Sequence, residues 1–358
     1  MHSTSLAQYL DLLAPALPPG LFAPAGFEGM CRAVAFIPWA LLSLFGFECR
    51  LDDDDAGADI LFAANLATGG RRILNGRNPW VEFSAQGQPS WRPIAAFCQR
   101  WDDPSSALYE GADDVWFECD VALGAEEVPS FFFGPRVGSA PDAVAATRRI
   151  LLDGFGALLG APLAGATLAC LDRCLALLPA HARVFQTGLM LSRPERQLRL
   201  CLDNLSSVET VELVGRVLGA REAACVAETI RAIEPHARSL KLAIDVGAEV
   251  GPRVGIECYA VSPRRRADPP AWADLLGALV ASGWCLPSRR DALLALRPLL
   301  RSSDLRAPWP VDAAAQLSAL VGREQALAVK VHHVKLTVEA GHPTRAKAYI
   351  AVERVWLS

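Results

Sequence analysis

The order of structural elements along the chain repeats, and this repeat limits the fold more than any single motif does. From about residue 59 onward, paired segments in which apolar and polar residues alternate precede segments with apolar residues at helical spacing. Alternation with a period of two predicts strands, and a period near 3.6 predicts helices. The series strand, strand, helix, helix recurs about four to five times, which indicates one structural unit used repeatedly.

The segments can be assigned from these periods. Strands are predicted over 59–66, 80–84, 115–121, 130–136, 184–191, 198–203, 240–246 and 254–260, with a closing hairpin over 331–356. Helices are predicted over 93–101, 142–159, 163–178, 206–218 and 221–233, in a segment around Trp272 and in another from about residue 288. Residues 1–47 are also predicted to be helical, with a second segment over 27–47.

This order of elements predicts an α/β fold. Strands joined as hairpins pair antiparallel, and the helices between them cover one face of the sheet. About ten such strands can close into a barrel that is wide enough to hold a ligand. We therefore predict repeated ββαα units that form a closed antiparallel barrel surrounded by helices (51–358), preceded by a helical N-terminal extension (1–50).

Composition excludes several function classes. The 358 residues are 52% hydrophobic and carry a net charge of -4, so there is no basic surplus for binding duplex nucleic acid. The most apolar run, 33–47, contains Pro38 and is too short to span a bilayer. The ten cysteines form no CxxC pair and the N-terminus has no signal-peptide pattern, so we expect a cytoplasmic protein with free thiols.

The polar face of the predicted strands should line the barrel lumen. The aliphatic residues of each strand should face the helices, which leaves an inward set that is rich in charge. This set comprises Glu82; Trp116, Glu118 and Asp120; Arg199, Cys201 and Asp203; Lys241 and Asp245; Arg253, Glu257 and Tyr259; His333 and Lys335; and Lys347 and Tyr349. Such groups are costly to bury without a ligand or mutual pairing.

Two pairs of neighbouring residues bear on metal and anion binding. His332 and His333 are adjacent, so in a regular strand they should point to opposite faces and hold no metal jointly. No metal site is predicted. Lys335 and Lys347 lie on adjacent antiparallel strands, where like charges are unfavourable unless an anion lies between them.

The repeat and its strand chemistry resemble the ABBA-type prenyltransferases, which have the PT-barrel fold. The resemblance covers residues from about 59 to the C-terminus and is nearest in character to the peptide and aromatic prenyltransferases of the cyanobactin type. It is carried by a cation and a tyrosine two residues apart on neighbouring strands. The segments concerned are LRLCLD (198–203), GIECYAV (255–261) and RAKAYI (345–350).

The resemblance implies transfer of a prenyl group from an allylic diphosphate, dimethylallyl or geranyl, to a peptide or small aromatic acceptor in natural-product maturation. It implies roles for the following residues: Arg199, Lys241, Lys335 and Lys347, with Arg253, as diphosphate ligands; Tyr259 and Tyr349, supplemented by Trp116 and Trp80, as the shield of the allyl cation; Glu118 as base; and Asp120 beside the acceptor. Asp245, Glu257 and His333 would be further lumen residues.

The acidity of the lumen keeps other functions open. Carboxylates repel a diphosphate unless Mg²⁺ or a cationic acceptor intervenes. One alternative is an enzyme of the same lineage that modifies a peptide without a prenyl donor. Another is a non-catalytic barrel for a peptide or apolar ligand, in which the lumen cations pair internally. Glu118 and Asp120 would then pair with Arg199 or Lys241. The oligomeric state is left open.

Overall fold

The strands of the protein form a closed antiparallel barrel, as predicted. The computed structural model describes residues 4–53, 57–121, 128–137, 143–193, 197–261, 269–304, 309 and 322–357. The strands of this part of the chain are β1 (Leu44–Arg50), β2 (Ala58–Asn65), β3 (Ala112–Cys119), β4 (Ser130–Pro135), β5 (Arg183–Leu189), β6 (Leu198–Asp203), β7 (Ser239–Val246), β8 (Val250–Tyr259), β9 (Leu299–Arg301), β10 (Glu324–Val338) and β11 (Arg345–Leu357).

The helices surround this barrel. They are α1 (Leu6–Leu13), α2 (Pro24–Ala33), α3 (Gly70–Leu74), α4 (Arg92–Trp101), α5 (Ala107–Gly111), α6 (Ala143–Leu159), α7 (Gly165–Ala176), α8 (Ser207–Val217), α9 (Ala220–Ile233), α10 (Pro269–Ala281) and α11 (Pro287–Leu294). Ser206 and Glu209 form a reciprocal capping box at the start of α8, where Glu209 N–H donates to Ser206 Oγ at 3.2 Å. Among the described residues, no helix has both the length and the apolar composition needed to cross a bilayer.

Hydrogen bonding runs round the barrel in chain order. β1 to β8 follow one another, β8 pairs with β10, β10 pairs with β11, and β11 returns to β1. All of these pairs are antiparallel. The short β9 pairs only with the N-terminal part of β10 and lies outside the closed ring. The predicted PT-barrel architecture is therefore confirmed.

The alternation along each strand decides what the two faces of the barrel contact. On β6, Leu198, Leu200 and Leu202 are buried in the hydrophobic core, as is Ile256 on β8. The core thus lies between the outside of the barrel and the helices. The intervening residues of each strand face the lumen, so the register puts the charged set inside.

One correction concerns the N-terminal region, because the predicted helix over 27–47 is wrong. Helix α2 ends at Ala33, and Leu44–Arg50 forms strand β1 between β11 and β2, so the predicted helical extension to residue 50 contains a barrel strand. The long apolar run around this segment hid its alternation. Gly46 is required there, because an added Cβ would overlap the carbonyl oxygen of Ile350 on β11.

A second correction concerns 80–84, where the described chain forms no strand. Val81 and Phe83 pack into the core beside α4 without pairing, and Glu82 is exposed. Trp80 is 89% exposed and does not reach the lumen. Alternation in this short segment reflects its one-sided packing. β2 pairs directly with β3, and β1 adds a barrel strand on the other side of β2 that the prediction lacked.

Candidate functional site in the barrel lumen

The lumen holds two adjoining compartments. The upper cavity, of about 530 Å³, lies at the end of the barrel where β1 ends and β11 begins, and charged side chains line most of it. The aromatic pocket, of about 160 Å³, lies deeper and is lined mainly by rings and apolar side chains. The two share Glu118, Arg199, Lys335 and Tyr349 as lining residues, so they form one continuous site.

Three cations lie side by side across the wall of the upper cavity. Arg50 on β1 is the register partner of Lys347 on β11, which in turn is the partner of Lys335 on β10. Arg345, two residues before Lys347, lines the same cavity. Within the described chain neither Arg50 nor Arg345 takes part in an ion pair. Like charges held directly opposite one another are unfavourable, so this row favours an anion.

Glu48 lies beneath that row and joins two of the predicted site residues. Its buried carboxylate accepts hydrogen bonds from Lys347 Nζ and from the Tyr349 hydroxyl. Burial by itself would raise the pKa of Glu48, but the charge and hydrogen bond of Lys347 and the hydrogen bond of Tyr349 outweigh burial and lower it to about 2. Glu48 is therefore ionised at neutral pH, and Lys347 is fixed by it.

The other predicted diphosphate ligands also have carboxylate neighbours. Arg199 binds Asp245 through two hydrogen bonds, of 2.7 and 3.1 Å. Lys335 Nζ lies 3.9 Å from Glu257 Oε1. These pairs explain how the buried part of the charged set is tolerated inside the barrel, since Lys347, Arg199 and Lys335 each have a nearby countercharge.

Arg253 and Lys241 lie apart from the central row. Arg253 lies at the rim of the upper cavity, 3.9 Å from Glu339. Lys241 lines the aromatic pocket, where its Nζ is 3.8 Å from the ring centroid of Phe185 and 4.9 Å from that of Tyr259. The structure thus separates Lys241 from the other predicted diphosphate ligands, and cation–π contacts hold it among the rings.

Carboxylates on β2 and at the end of β3 form an acidic wall beside β1. Glu118, the predicted base, is buried, and its pKa is raised to about 7 by burial and by the charges of Glu48 and Asp120. Burial, Glu48 and Asp120 also raise the pKa of Asp59, to about 6. Arg193 lies 4.0 Å from Glu118 and 3.9 Å from Asp120.

The partner of this acidic wall is therefore different from the one predicted. Arg199 binds Asp245 and Lys241 lies near Asp203, at 4.0 Å. Arg193, in the turn after β5, takes the place beside Glu118. A carboxyl with a pKa near neutrality in a cleft can exchange a proton at physiological pH.

The aromatic pocket contains a column of three rings on adjacent strands. His333 is stacked between Tyr349, at a centroid distance of 4.2 Å, and Tyr259, at 5.2 Å. The Tyr259 hydroxyl donates to Glu257 at 2.9 Å. Trp116 lines the pocket as predicted, and Phe132 and Phe185 extend its apolar wall. Both tyrosine hydroxyls are thus bound to buried carboxylates, which fix the two outer rings of the column.

The two adjacent histidines do not point to opposite faces, and that prediction is wrong. The register between β10 and β11 shifts between Val331 and His333, which is the signature of a β-bulge. Both His332 and His333 therefore line the aromatic pocket, and their Nδ1 atoms are 2.8 Å apart. Among the described residues, no group of three or more His, Cys, Asp or Glu side chains is arranged to hold a metal ion.

Several lining residues escaped the sequence reasoning. Glu48 and Arg50 were hidden by the helical assignment, although they alternate with Phe47 and Cys49 as strand residues do. Arg345 has the same phase as Lys347 and could have been included from its spacing alone. Arg193 lies in a turn, where strand periodicity gives no information about direction.

Comparison with known proteins places the fold. The amino-acid sequence matches no family model and no curated protein. The structure of PriB in a ternary complex with L-tryptophan and dimethylallyl thiolodiphosphate superimposes with a TM-score of 0.56 and 14% identity, covering 96% of this chain and 94% of that one. 5-Dimethylallyltryptophan synthase from Streptomyces coelicolor superimposes with a TM-score of 0.51 and 14% identity, covering 96% and 95%.

A third solved structure agrees with these two. 6-Dimethylallyl tryptophan synthase has a TM-score of 0.50 at 13% identity, with 97% of each chain covered. The TM-scores and the coverage establish a common architecture over nearly the whole length of the chain, and at 13–14% identity the likeness extends to the fold alone. The chain therefore has the fold that the sequence resemblance predicted, the closed PT barrel of the ABBA-type prenyltransferases.

Proposed function

We propose that this barrel transfers a prenyl group from an allylic diphosphate to an aromatic acceptor. The observation that carries the proposal is the pairing of compartments in one lumen: a cation-lined upper cavity continuous with an aromatic pocket. A charged leaving group and an apolar isoprenoid chain need these two environments side by side. Two structurally similar proteins support the same conclusion: one is named 5-dimethylallyltryptophan synthase, and the other, the prenyltransferase PriB, holds L-tryptophan and dimethylallyl thiolodiphosphate.

The donor would bind with its diphosphate against the upper row. Arg50, Lys347 and Lys335 offer charge-assisted hydrogen bonds, with Arg345 and Arg199 beside them. Arg253 at the rim would contribute at longer range. Dimethylallyl and geranyl diphosphate are the donors proposed. Mg²⁺ enters the proposal as a counterion between the diphosphate and the carboxylates of the same cavity.

The reaction itself balances with groups of this lumen. The bond between the allylic carbon and the diphosphate oxygen breaks, and the diphosphate leaves with the electron pair, stabilised by the cations. The acceptor supplies the electron pair for the new bond and loses a proton. Glu118, with a pKa of about 7, is suited to accept that proton at neutral pH. The rings of Tyr349, Tyr259 and Trp116 would exclude water from the cation.

The acceptor could be free or part of a peptide. The upper cavity reaches the rim of the barrel at His342 and Pro343, in the turn between β10 and β11, so a larger molecule can approach there. We propose a small aromatic compound as the first acceptor to test. The more specific proposal is a peptide acceptor in natural-product maturation, of the cyanobactin type.

A second function is favoured by one specific observation. Lys347, Arg199 and Lys335 each lie beside a buried carboxylate, as expected for a barrel that binds a peptide or apolar ligand without a prenyl donor. The same pairing suits an enzyme of this lineage that modifies a peptide by other chemistry. Arg50 and Arg345 count against both, since these two cations of the cavity have no ion-pair partner in the described chain.

Thermal unfolding with dimethylallyl or geranyl diphosphate, each with and without Mg²⁺, separates these functions. A ligand that binds only the folded state raises the midpoint at concentrations well above its dissociation constant. Pyrophosphate is the control for anion binding alone. A positive donor is then incubated with tryptophan, indole and short peptides containing Trp or Tyr, and products are identified by the added mass of one prenyl unit. If neither donor raised the unfolding midpoint, the proposed prenyl transfer would be wrong and the second function would be favoured.

A further inference from the structure

The β-bulge in β10 gives the aromatic pocket a feature that a regular strand could not. It directs two consecutive imidazoles into the same pocket, with their Nδ1 atoms at hydrogen-bond distance, 2.8 Å. A hydrogen bond between two ring nitrogens needs a hydrogen on one and a lone pair on the other. His332 and His333 must therefore be opposite tautomers when both are neutral.

Opposite tautomers leave two unlike nitrogen atoms free. One imidazole keeps a hydrogen on Nε2 and the other keeps a lone pair there. Within the described chain, neither Nε2 atom has a hydrogen-bond partner. Both imidazoles are half-buried on the wall of the aromatic pocket, so a ligand that enters the pocket can reach these two nitrogen atoms.

The tyrosine and lysine side chains of the pocket do not duplicate this pair. The Tyr259 hydroxyl is bound to Glu257, and the Tyr349 hydroxyl is bound to Glu48. Lys241 donates only, and its ammonium lies over two rings. Whichever imidazole carries it, the free lone pair is an acceptor beside an aromatic ring, since His333 is stacked on Tyr349 and His332 lies edge-on to Tyr259.

Both imidazoles are uncharged at neutral pH. Burial, together with His332, Lys335 and Lys241, lowers the pKa of His333 to about 3 against the opposing charge of Glu257. Burial and Lys330 lower that of His332 to about 4. The pair therefore offers hydrogen bonds without charge, and it favours a neutral ligand over an ion.

We propose that the His332–His333 pair recognises the acceptor, and that the acceptor is an uncharged aromatic compound carrying an N–H on its ring system, such as an indole. The ring N–H donates to the free Nε2 lone pair while the ring packs in the aromatic pocket. This inference deepens the proposed function and rests on it only in calling the bound aromatic compound an acceptor. Glu118 is then left free to receive the proton released by the reaction.

Binding to the donor-free protein tests this directly. Indole and 1-methylindole differ in one N–H, so isothermal titration at neutral pH isolates the hydrogen bond. The wild-type protein is expected to bind indole about tenfold more tightly, the size of one buried hydrogen bond. His332→Phe and His333→Phe keep a ring in place but remove the imidazole pair, and each should bring the ratio close to one. His236→Asn, at an exposed position outside the barrel, should leave it at about ten.

Tautomer states provide a second measurement that needs no variant. Nitrogen-15 NMR of the wild-type protein should show one histidine of the pair protonated at Nδ1 and the other at Nε2. Two identical tautomers would overturn the inference, as would equal affinity for indole and 1-methylindole or no binding of either at millimolar concentration. A ratio of about ten that is lost in both Phe variants supports the inference even if no allylic diphosphate binds, in which case the proposed function alone fails.

Discussion

The upper cavity and the aromatic pocket lie in one lumen, yet they shift the pKa values of their ionisable groups in different ways. In the upper cavity the pKa values of two buried glutamates differ widely: that of Glu48 falls to about 2, whereas that of Glu118 rises to about 7. Burial raises both, and the difference comes from neighbours, since Lys347 binds Glu48 while further carboxylates surround Glu118. In the aromatic pocket, burial leaves His332 and His333 neutral.

The spacing of inward residues explains how the same strands serve both compartments. Inward residues two apart on a strand are separated by roughly 6.5 Å along it. Lys347 and Tyr349, and likewise Lys335 and His333, therefore contribute one charged group to the upper cavity and one ring to the pocket below. A cation and a ring two residues apart on one strand therefore lie at two depths of the lumen, the cation in the upper cavity and the ring in the aromatic pocket.

The largest effect is expected from Lys347→Ala, which breaks the charge pairing of the upper cavity. Glu48 would then be a buried carboxylate without its main counterion, and the free energy of unfolding should fall by about 3–5 kcal/mol at neutral pH. Donor binding should be lost as well. Urea denaturation and the donor-induced midpoint shift measure the two effects.

A double variant separates charge pairing from donor binding. Lys347→Met combined with Glu48→Gln removes both charges, so it should recover most of the lost stability while donor binding stays absent. If Lys347→Ala alone transferred the prenyl group at the wild-type rate, the assigned diphosphate site would be wrong. If it unfolded no more easily than the wild type, the Lys347–Glu48 pair would not matter for stability.

Glu118 should give the stability of the protein a distinctive pH dependence. Its pKa is about 7 in the folded protein and 4.5 in its ordinary environment, so between these values the folded protein holds more protons than the unfolded chain. The free energy of unfolding therefore falls as the pH rises through this window. Glu118→Gln should reduce that fall by about 2 kcal/mol.

Urea denaturation at about pH 5 and about pH 8 measures this difference. Asp59, whose pKa is raised to about 6, acts with the same sign and should leave a smaller residual slope in the Gln variant. Glu48, whose pKa is lowered, stabilises the fold above its unfolded value and loses that contribution only at lower pH, outside this window. An unchanged slope in Glu118→Gln would show that Glu118 does not titrate near neutrality.

The fold was predictable because its information is periodic and repeated. Strands such as Leu198–Asp203 and the capping box at Ser206 carry local signals that tertiary contacts reinforce. The prediction for 44–50 failed for the opposite reason, since the apolar run around this segment masks the alternation of a strand. At 80–84, alternation in five residues was too short to tell a strand from a loop packed on one side.

The site was predictable only as far as side chains follow strand phase. The alternation along each strand placed Glu118, Lys335 and Tyr349 correctly in the lumen. The identity of their partners, such as Glu48 and Arg193, depends on which strands and turns become neighbours. The bulge before His333 is a one-residue irregularity that no period reveals. The chemistry of the aromatic pocket therefore depends on a feature that the sequence pattern misassigned.

Removal of the unpaired cations should affect the donor without affecting the fold. Arg50→Ala and Arg345→Ala each remove a cation of the upper cavity that has no ion-pair partner in the described chain, so no buried charge is left behind. Each should weaken donor binding about tenfold and change the free energy of unfolding by less than about 0.5 kcal/mol. Titration with pyrophosphate and with dimethylallyl diphosphate measures the effect, and Arg231→Ala, on the exposed side of α9, is the matched control.

The aromatic pocket should show the same independence from these arginines. Indole affinity depends on the lower compartment, so it should be unchanged in Arg50→Ala and Arg345→Ala. Equal losses of donor and indole affinity would contradict the division of the lumen into two environments, because a single compartment would then bind both ligands.

The smallest effect is expected at Trp80, which lies in neither compartment. Its ring is 89% exposed in the segment that was predicted as a strand, so Trp80→Ala should change stability and donor affinity by less than about 0.5 kcal/mol. Trp116→Ala provides the contrast, because that ring lines the aromatic pocket and its loss should weaken indole binding. A loss of prenyl transfer in Trp80→Ala with stability unchanged would mean that this segment folds over the lumen when substrates bind. Trp80 would then shield the allyl cation in the substrate complex, as the resemblance implies, and would close both compartments to water.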